Sequence, residues 1–181
     1  MQGIEDTYHW EAVQLSKCKF FQDKINFLGH VVDAEGVYTD KEKTSTITSW
    51  PHPKNMNDVQ QFLGLCNYYC RFVKWFSTIA LPLTKLLCTS QPFTWNSDTE
   101  LAFCRLKSAI TSAPVLHFYN TEAETQVEAD CSKFALGTQL LQKTDNKWHP
   151  VAFESCKLTD AEVNYPQHEK ELLALIHALK K

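Results

Sequence analysis

The sequence predicts an α+β fold: a small β-hairpin, a run of helices, then three strands closed by one further helix. Three observations carry this. Apolar residues recur at three-and-four spacing from Val59 to Val73 and again from Leu101 to Ile110, the period of amphipathic helices. Short apolar runs bounded by polar turn residues occupy the two ends, from Cys18 to Val32 and from Thr125 to Phe153, as strands do. Prolines stand at the joints, at Pro51, Pro53, Pro82 and Pro114, where they stop or start helices.

The first sixteen residues carry no clean periodicity and predict a loose start or a short frayed helix. From Lys17, KCKFFQDKINFLGHVVDAEGVY holds two apolar runs, Cys18 to Phe21 and Ile25 to Val32, separated by Gln22, Asp23 and Lys24. That arrangement predicts a hairpin turning at residues 22–24, with Gly29 a bulge or close backbone approach and Gly36 closing a turn. Thr39 with Glu42 three residues on has capping-box spacing, so a helix is expected from about Asp40 to Trp50, stopped by Pro51 and Pro53. A second helix, capped by Asn55 or Asn57, carries Val59, Phe62, Leu63, Cys66, Tyr69, Cys70 and Val73. Pro82 fits the first turn of a helix over Ser77 to Cys88.

Gln91 to Trp95 reads as an extended link, and Ser97 or Asp98 as the cap of a helix ended by Ala113 and Pro114. Val115 to Phe118 predicts a short strand. Thr125 to Ala129, Leu136 to Leu141 and Val151 to Phe153 predict three more, with turn chemistry at Thr144, Asp145 and Asn146. A last helix from about Asp160 carries Tyr165, Leu172, Leu175, Ile176 and Leu179 and runs to the final residue, an ending that reads as a cut from a longer chain.

With 181 residues, 44% hydrophobic and 22% charged, the chain can bury one sizeable core or two small ones, which excludes disorder throughout. A net charge of -3 excludes a protein that coats nucleic acid by bulk charge; such binding has to come from local patches. One patch is visible. FLGLCNYYCRFVKWFSTIALPLTKLL, from Phe62 to Leu87, is the densest apolar run, and no acid occurs between Asp58 and Asp98 whereas Arg71, Lys74 and Lys85 do. The 7 cysteines form an odd set scattered through apolar segments, which predicts free thiols in a reducing compartment. Cys66 and Cys70 have metal-ligand spacing, but no matching Cys or His pair stands nearby, so zinc is not expected. MQGIEDTYHW has acids where a secretion signal needs a basic then apolar stretch, so an intracellular protein, of cytoplasm or nucleus, with no membrane partner is expected.

FLGLCNYYCRF followed by PLTKLL, preceded by KCKF, FLGH and WPHP and followed by FTW, AFCRLK and SAPVL, resembles the Pol polyprotein of gypsy-type LTR retrotransposons. The likeness runs from Lys17 to the C-terminus in one order. It implies a palm remnant with a primer-grip-like hairpin over 1–38, thumb-like helices over 39–89 and a connecting segment over 90–118. The N-terminal part of a ribonuclease H domain, three strands plus one helix, would then fill 119–181. The implied function is contact with template-primer or an RNA/DNA hybrid, through Phe27, Leu28, Gly29 and His30 of the hairpin and through Gly64, Asn67, Tyr68 and Arg71 of the thumb. A small residue permits backbone approach, an amide and a phenol reach sugar edges, and a guanidinium pairs with phosphate. His30 reads equally as a primer contact or a strand-end residue.

Ribonuclease H chemistry needs carboxylates converging on two Mg²⁺ ions. The resemblance assigns two here. Asp130 with Ser132 matches the family's aspartate-x-serine, Cys131 replacing the usual small residue, and Glu171 precedes Leu-Leu-Ala as the family's second carboxylate does. Periodicity alone does not choose between Glu169 and Glu171; the E-L-L-A match does. No tyrosine-x-aspartate-aspartate sequence and no third ribonuclease H aspartate stand in this chain, so Mg²⁺ is expected to be held weakly and catalysis to be incomplete in this polypeptide by itself. Cys70 stands where the family has a second arginine, Lys41 where it has proline and Ala135 where it has glycine. The alternative is a host-retained, non-catalytic binding protein in which the edge of a three-stranded sheet favours self-association.

Overall fold

A computed structural model describes Cys18 and residues 20–88 and 92–180. The expected loose start and Gln91 of the expected link lie outside the described residues. Strands β1 (Lys24–Phe27), β2 (His30–Asp33) and β3 (Val37–Thr39) form an antiparallel sheet in that order. Its first turn falls at Leu28 and Gly29, not at residues 22–24, and Phe20 to Asp23 carry no strand. Both turn residues have positive φ, 48° and 73°. Such a two-residue turn matches the twist of its flanking strands, and Gly29 adopts the conformation without steric cost. Leu28 is not a usual turn former, so the turn hides inside the mostly apolar run from Ile25 to Val32.

Asp40, not Thr39, caps α1 (Lys41–Thr48), because Thr39 ends β3; the Asp40 carboxylate accepts from the Glu42 N–H at 2.9 Å. Asn55 caps α2 (Met56–Tyr68). That helix ends before the expected Val73, and Cys70–Phe72 tighten into a 3-10 turn. Trp75, left-handed at φ 62°, leads into α3 (Phe76–Lys85), and Pro82 lies well inside this helix, not in its first turn. Burial of Phe76, Ala80 and Leu83 offsets the missing proline N–H. Asn96 caps α4 (Ser97–Thr111) in a capping box with Thr99. The expected strand at Val115 reduces to one bridge, in which Leu116 and Val37 exchange backbone hydrogen bonds of 2.8 and 3.0 Å.

β4 (Thr125–Cys131), β5 (Ala135–Thr144) and β6 (Lys147–Lys157) form a second antiparallel sheet, each strand longer than expected. Asp145 and Asn146 make its tight turn with φ of 51° and 61°, as their chemistry predicts. After a 3-10 turn at Glu162–Asn164, Pro166 precedes α5 (Gln167–Leu179), which starts later than expected. No helix among the described residues is long and apolar enough to cross a membrane.

The second sheet lies between two helical layers. Cross-strand pairing puts Glu128 and Asp130 in rows with Gln139 and Phe153, and with Gly137 and Ser155, on the face that meets α3. Alternation puts Ala129, Cys131 and Leu136 on the other face, where Ala174 of α5 packs. The main core joins Ile47, Val59, Phe62, Leu83, Leu106 and Ile110 of the helices to Phe153 of β6. The seam is tight: a Cβ added at Gly137 would lie 1.6 Å from the Trp75 ring. The Ser77 N–H donates to the Ser155 hydroxyl at 2.9 Å, that hydroxyl donates to Ser77 Oγ at 3.0 Å, and Lys74 reaches Glu128 at 3.9 Å.

Candidate nucleic-acid interface and carboxylate pair

α2 divides its residues by face. Val59, Phe62, Leu63 and Cys66 are buried, whereas Gly64, Asn67 and Tyr68, with Arg71 in the 3-10 turn beyond, share the exposed side. Of the aromatic residues nearby, Tyr69 and Phe72 fill the core. A Cβ built at Gly64 meets nothing within 4 Å. Mid-helix glycine costs about 1 kcal/mol relative to alanine, and no neighbour among the described residues requires it. Cys70 is half-buried, and burial, then the charge of Glu154, pushes its thiol up.

The hairpin turn docks on this helix. The Tyr68 ring lies parallel to the His30 ring, centroids 5.0 Å apart and planes 5° apart, and the Tyr68 hydroxyl donates to the Leu28 carbonyl. His30 also meets Tyr69 edge-on at 5.9 Å and Phe72 at 5.3 Å, and its Nδ1 is buried with no hydrogen-bond partner among the described residues. Burial first, then the Arg71 charge, holds the His30 pKa below its usual value. The site residues expected from sequence therefore separate. Phe27 and Leu28 are 60% and 72% exposed, and with Gly64, Asn67 and Arg71 they look outward. His30 is engaged inside the chain, and Tyr68 is shared between the exposed face and the hairpin.

Asp130 and Glu171 come to one end of β4 from different elements. The Cys131 N–H donates to Asp130 Oδ1 at 2.8 Å. Gln167 Nε2 donates to the Cys131 carbonyl at 3.3 Å and to Glu171 Oε1 at 3.2 Å, one helical turn along α5. Burial pushes the Cys131 thiol up, the Lys170 charge opposes it, and Asp130 and Glu171 add smaller upward effects. Both carboxylates are exposed, Asp130 on the row that faces α3 and Glu171 on the helix that covers the opposite face. Ser132 builds the β4–β5 turn, its hydroxyl donating to the Ala135 carbonyl and accepting from the Ala135 N–H. Among the described residues no three His, Cys, Asp or Glu side chains converge on one metal position. An open cleft of about 540 Å³ between α3 and α4, lined by Lys85, Asn96, Asp98 and Arg105, contains none of these residues. Sequence reasoning missed Gln167, whose signal was its place four residues before Glu171. It missed Trp75 too, because the glycine that receives it is remote in sequence.

Residues 95–181 match the family of RNase H-like domains found in reverse transcriptase. Over 169 residues, 93% of the chain, the sequence is 32% identical to the Transposon Tf2-3 polyprotein of Schizosaccharomyces pombe, and the Tf2-4 polyprotein matches to the same extent. The chain spans 13% of the length of these curated relatives. The fold superposes with a TM-score of 0.75 and 25% identity on the foamy viral protease-reverse transcriptase in complex with RNA/DNA hybrid, covering 91% of this chain and 22% of that one. A foamy viral protease-reverse transcriptase in complex with dsDNA gives 0.74 at 25% identity, covering 88% and 34%.

Proposed function

Because residues 95–181 belong to the RNase H-like domain family of reverse transcriptases and the chain resembles gypsy-type LTR-retrotransposon polyproteins along most of its length, we propose that it is a reverse transcriptase/ribonuclease H fragment that grips a duplex. Template-primer or an RNA/DNA hybrid lies along the outer face of α2 and the β1–β2 turn, contacted by Gly64, Asn67, Tyr68, Arg71, Phe27 and Leu28, with Gly29 and His30 shaping the turn. Gly64 carries this reading. A mid-helix glycine at the centre of an exposed polar face, with no described atom within 4 Å of where a Cβ would stand, is explained by a partner that approaches the helix backbone. The relatives seen with RNA/DNA hybrid and with dsDNA support the same partner class. In this reading residues 39–89 act as the thumb, 1–38 as the palm edge and 90–118 as the connection to the ribonuclease H-like part.

Asp130 and Glu171 are hard oxygen donors at one strand end, and they fit a weakly held Mg²⁺, an ion that one or two carboxylates and several waters commonly bind. Bound there, Mg²⁺ supplies activation of water and stabilisation of the leaving oxygen in phosphodiester cleavage. With two carboxylates this polypeptide by itself is not expected to complete that chemistry. An intracellular location agrees with the free thiols at Cys66, Cys70, Cys88, Cys104 and Cys131.

Fluorescence anisotropy with an RNA/DNA hybrid tests the grip. Binding that weakens steeply with salt and exceeds binding to an unrelated acidic polymer is expected; equal retention of both overturns it. An Mg²⁺-dependent cleavage assay is expected to show no product, and cleavage lost in Asp130→Asn would reverse the statement on catalysis. A second reading, a non-catalytic protein that assembles with itself, draws on β4, which pairs with a strand on one side alone among the described residues, and on exposed Leu172, Leu175, Ile176 and Leu179 of α5. A monomer in sedimentation velocity would remove that reading.

A further inference from the structure

We propose that Gln167 is a positioning residue that sets the reach of the Glu171 carboxylate toward Asp130; the inference rests on the Mg²⁺ site described above. A primary amide nitrogen carries two hydrogens, and the bonds of Gln167 Nε2 go to two different acceptors, the Cys131 carbonyl and Glu171 Oε1. The first bond fixes the amide to the end of β4, and the second carries that position to Glu171 on the next helical turn.

The same residue of β4 orients the other acid, since the Cys131 N–H donates to Asp130 Oδ1. The backbone of Cys131 is thus the common reference for both carboxylates: its N–H holds one directly, and its C=O holds the other through Gln167. This matters because the two acids start from opposite faces of the sheet. Asp130 shares its row with Gly137 and Ser155 on the α3 side, whereas Glu171 stands on α5, the helix whose Ala174 packs with Cys131 on the other face. An exposed glutamate with three rotatable bonds samples many rotamers, and one oriented oxygen removes much of that freedom.

The choice of donor also has chemical meaning. A lysine at this position would hold Glu171 by charge and compete with the metal; a neutral amide orients one oxygen and leaves the negative charge in place. Glu171 Oε2 accepts no hydrogen bond among the described residues and is the oxygen left to a cation.

The test titrates Mg²⁺ into the 181-residue chain, Gln167→Ala, Glu171→Gln and the double variant. NMR follows the Gln167 side-chain amide and the Cys131 backbone amide, and each variant's thermal midpoint verifies folding. Gln167→Ala is expected to weaken Mg²⁺ about 10-fold, to have no further effect once Glu171 is glutamine, and to leave the midpoint nearly unchanged. In the unmodified chain the Gln167 amide signals are expected to move on adding Mg²⁺. If Glu171→Gln weakens Mg²⁺ but Gln167→Ala does not, the positioning role is overturned while the metal site stands. If no variant alters Mg²⁺ affinity, both are overturned. If Gln167→Ala lowers the midpoint and leaves affinity intact, the amide is structural only.

Discussion

Tyr68 and His30 stack in parallel at 5.0 Å, and the Tyr68 hydroxyl reaches over His30 to the Leu28 carbonyl. The turn of the first hairpin is thereby fastened to the helix whose outer face is the proposed grip. Tyr68→Phe keeps the stack and removes one hydrogen bond, so a loss of about 1 kcal/mol is expected. Hydrogen exchange is expected to speed up at Gly29 and His30 while the core of α2 stays protected; uniform acceleration across α2 would show that the bond serves the whole helix and not the turn.

Gly64→Ala separates stability from binding. Alanine favours the helix by about 1 kcal/mol, and the added Cβ meets nothing among the described residues, so thermal stability should rise. Affinity for an RNA/DNA hybrid should fall, more for Gly64→Leu than for Gly64→Ala. Unchanged affinity in both variants would remove this face of α2 from the interface.

Arg71 and Lys74 are neighbours in sequence with different expected roles. Lys74 is taken up at the seam with Glu128, whereas Arg71 is exposed on the grip side. Arg71→Ala should lower the slope of log affinity against log salt by about 1, and Lys74→Ala should leave it almost unaltered. Binding isotherms over a range of KCl concentrations would show the opposite pattern if the duplex lies nearer the seam.

Gly137→Ala puts a methyl group where the Trp75 ring already sits, 1.6 Å from a ring carbon. Overpacking of this kind costs about 3 kcal/mol when the neighbour cannot retreat, and Trp75 is held by its left-handed backbone at the start of α3. Chemical denaturation should show this loss, partly relieved in the Gly137→Ala, Trp75→Ala double variant. Equal sums in the double-mutant cycle would mean that the two residues do not meet.

Acid should destabilise the fold through two imidazoles. His30 is held below the ordinary imidazole pKa by burial and then by the Arg71 charge. His117 is held below it by burial and then His149, with Glu35 opposing. The unfolded chain therefore takes up protons near pH 6.5, while the folded imidazoles resist until lower pH, so stability falls as pH falls below 6.5 and these groups add no pH dependence well above it. Urea midpoints measured from about pH 7.5 to about pH 5.5 should decline, less so in His30→Phe; an identical decline would assign the effect elsewhere.

Regular periodicity made α2 and α4 legible in the sequence, and Asp145-Asn146 made the β5–β6 turn legible, because those signals are local. The Leu28-Gly29 turn was hidden by leucine in a left-handed position that only the dock with Tyr68 explains. Pro82 misled because burial of Leu83 and Ala80 keeps a helix going where propensity would end it. At the site, Asp130 and Glu171 could be picked out by likeness to a family and Gly64 by its small size. The inward turn of His30 and the bridge through Gln167 depend on which elements pack together, and no local pattern records that.

Phe153 belongs to β6 yet completes the core of the preceding helices, and Trp75 precedes α3 yet finds its seat on β5. The stretch that matches the RNase H-like family begins at residue 95, inside this shared core, directly before the Asn96 cap of α4. A recombination event that joined the halves of two diverged elements at that point would mate a foreign tryptophan with a native glycine, and a foreign helical core with a native phenylalanine. Lineages built from this fold should therefore exchange the helices and the sheet together, so that crossovers surviving in related elements fall outside the block from α1 to β6.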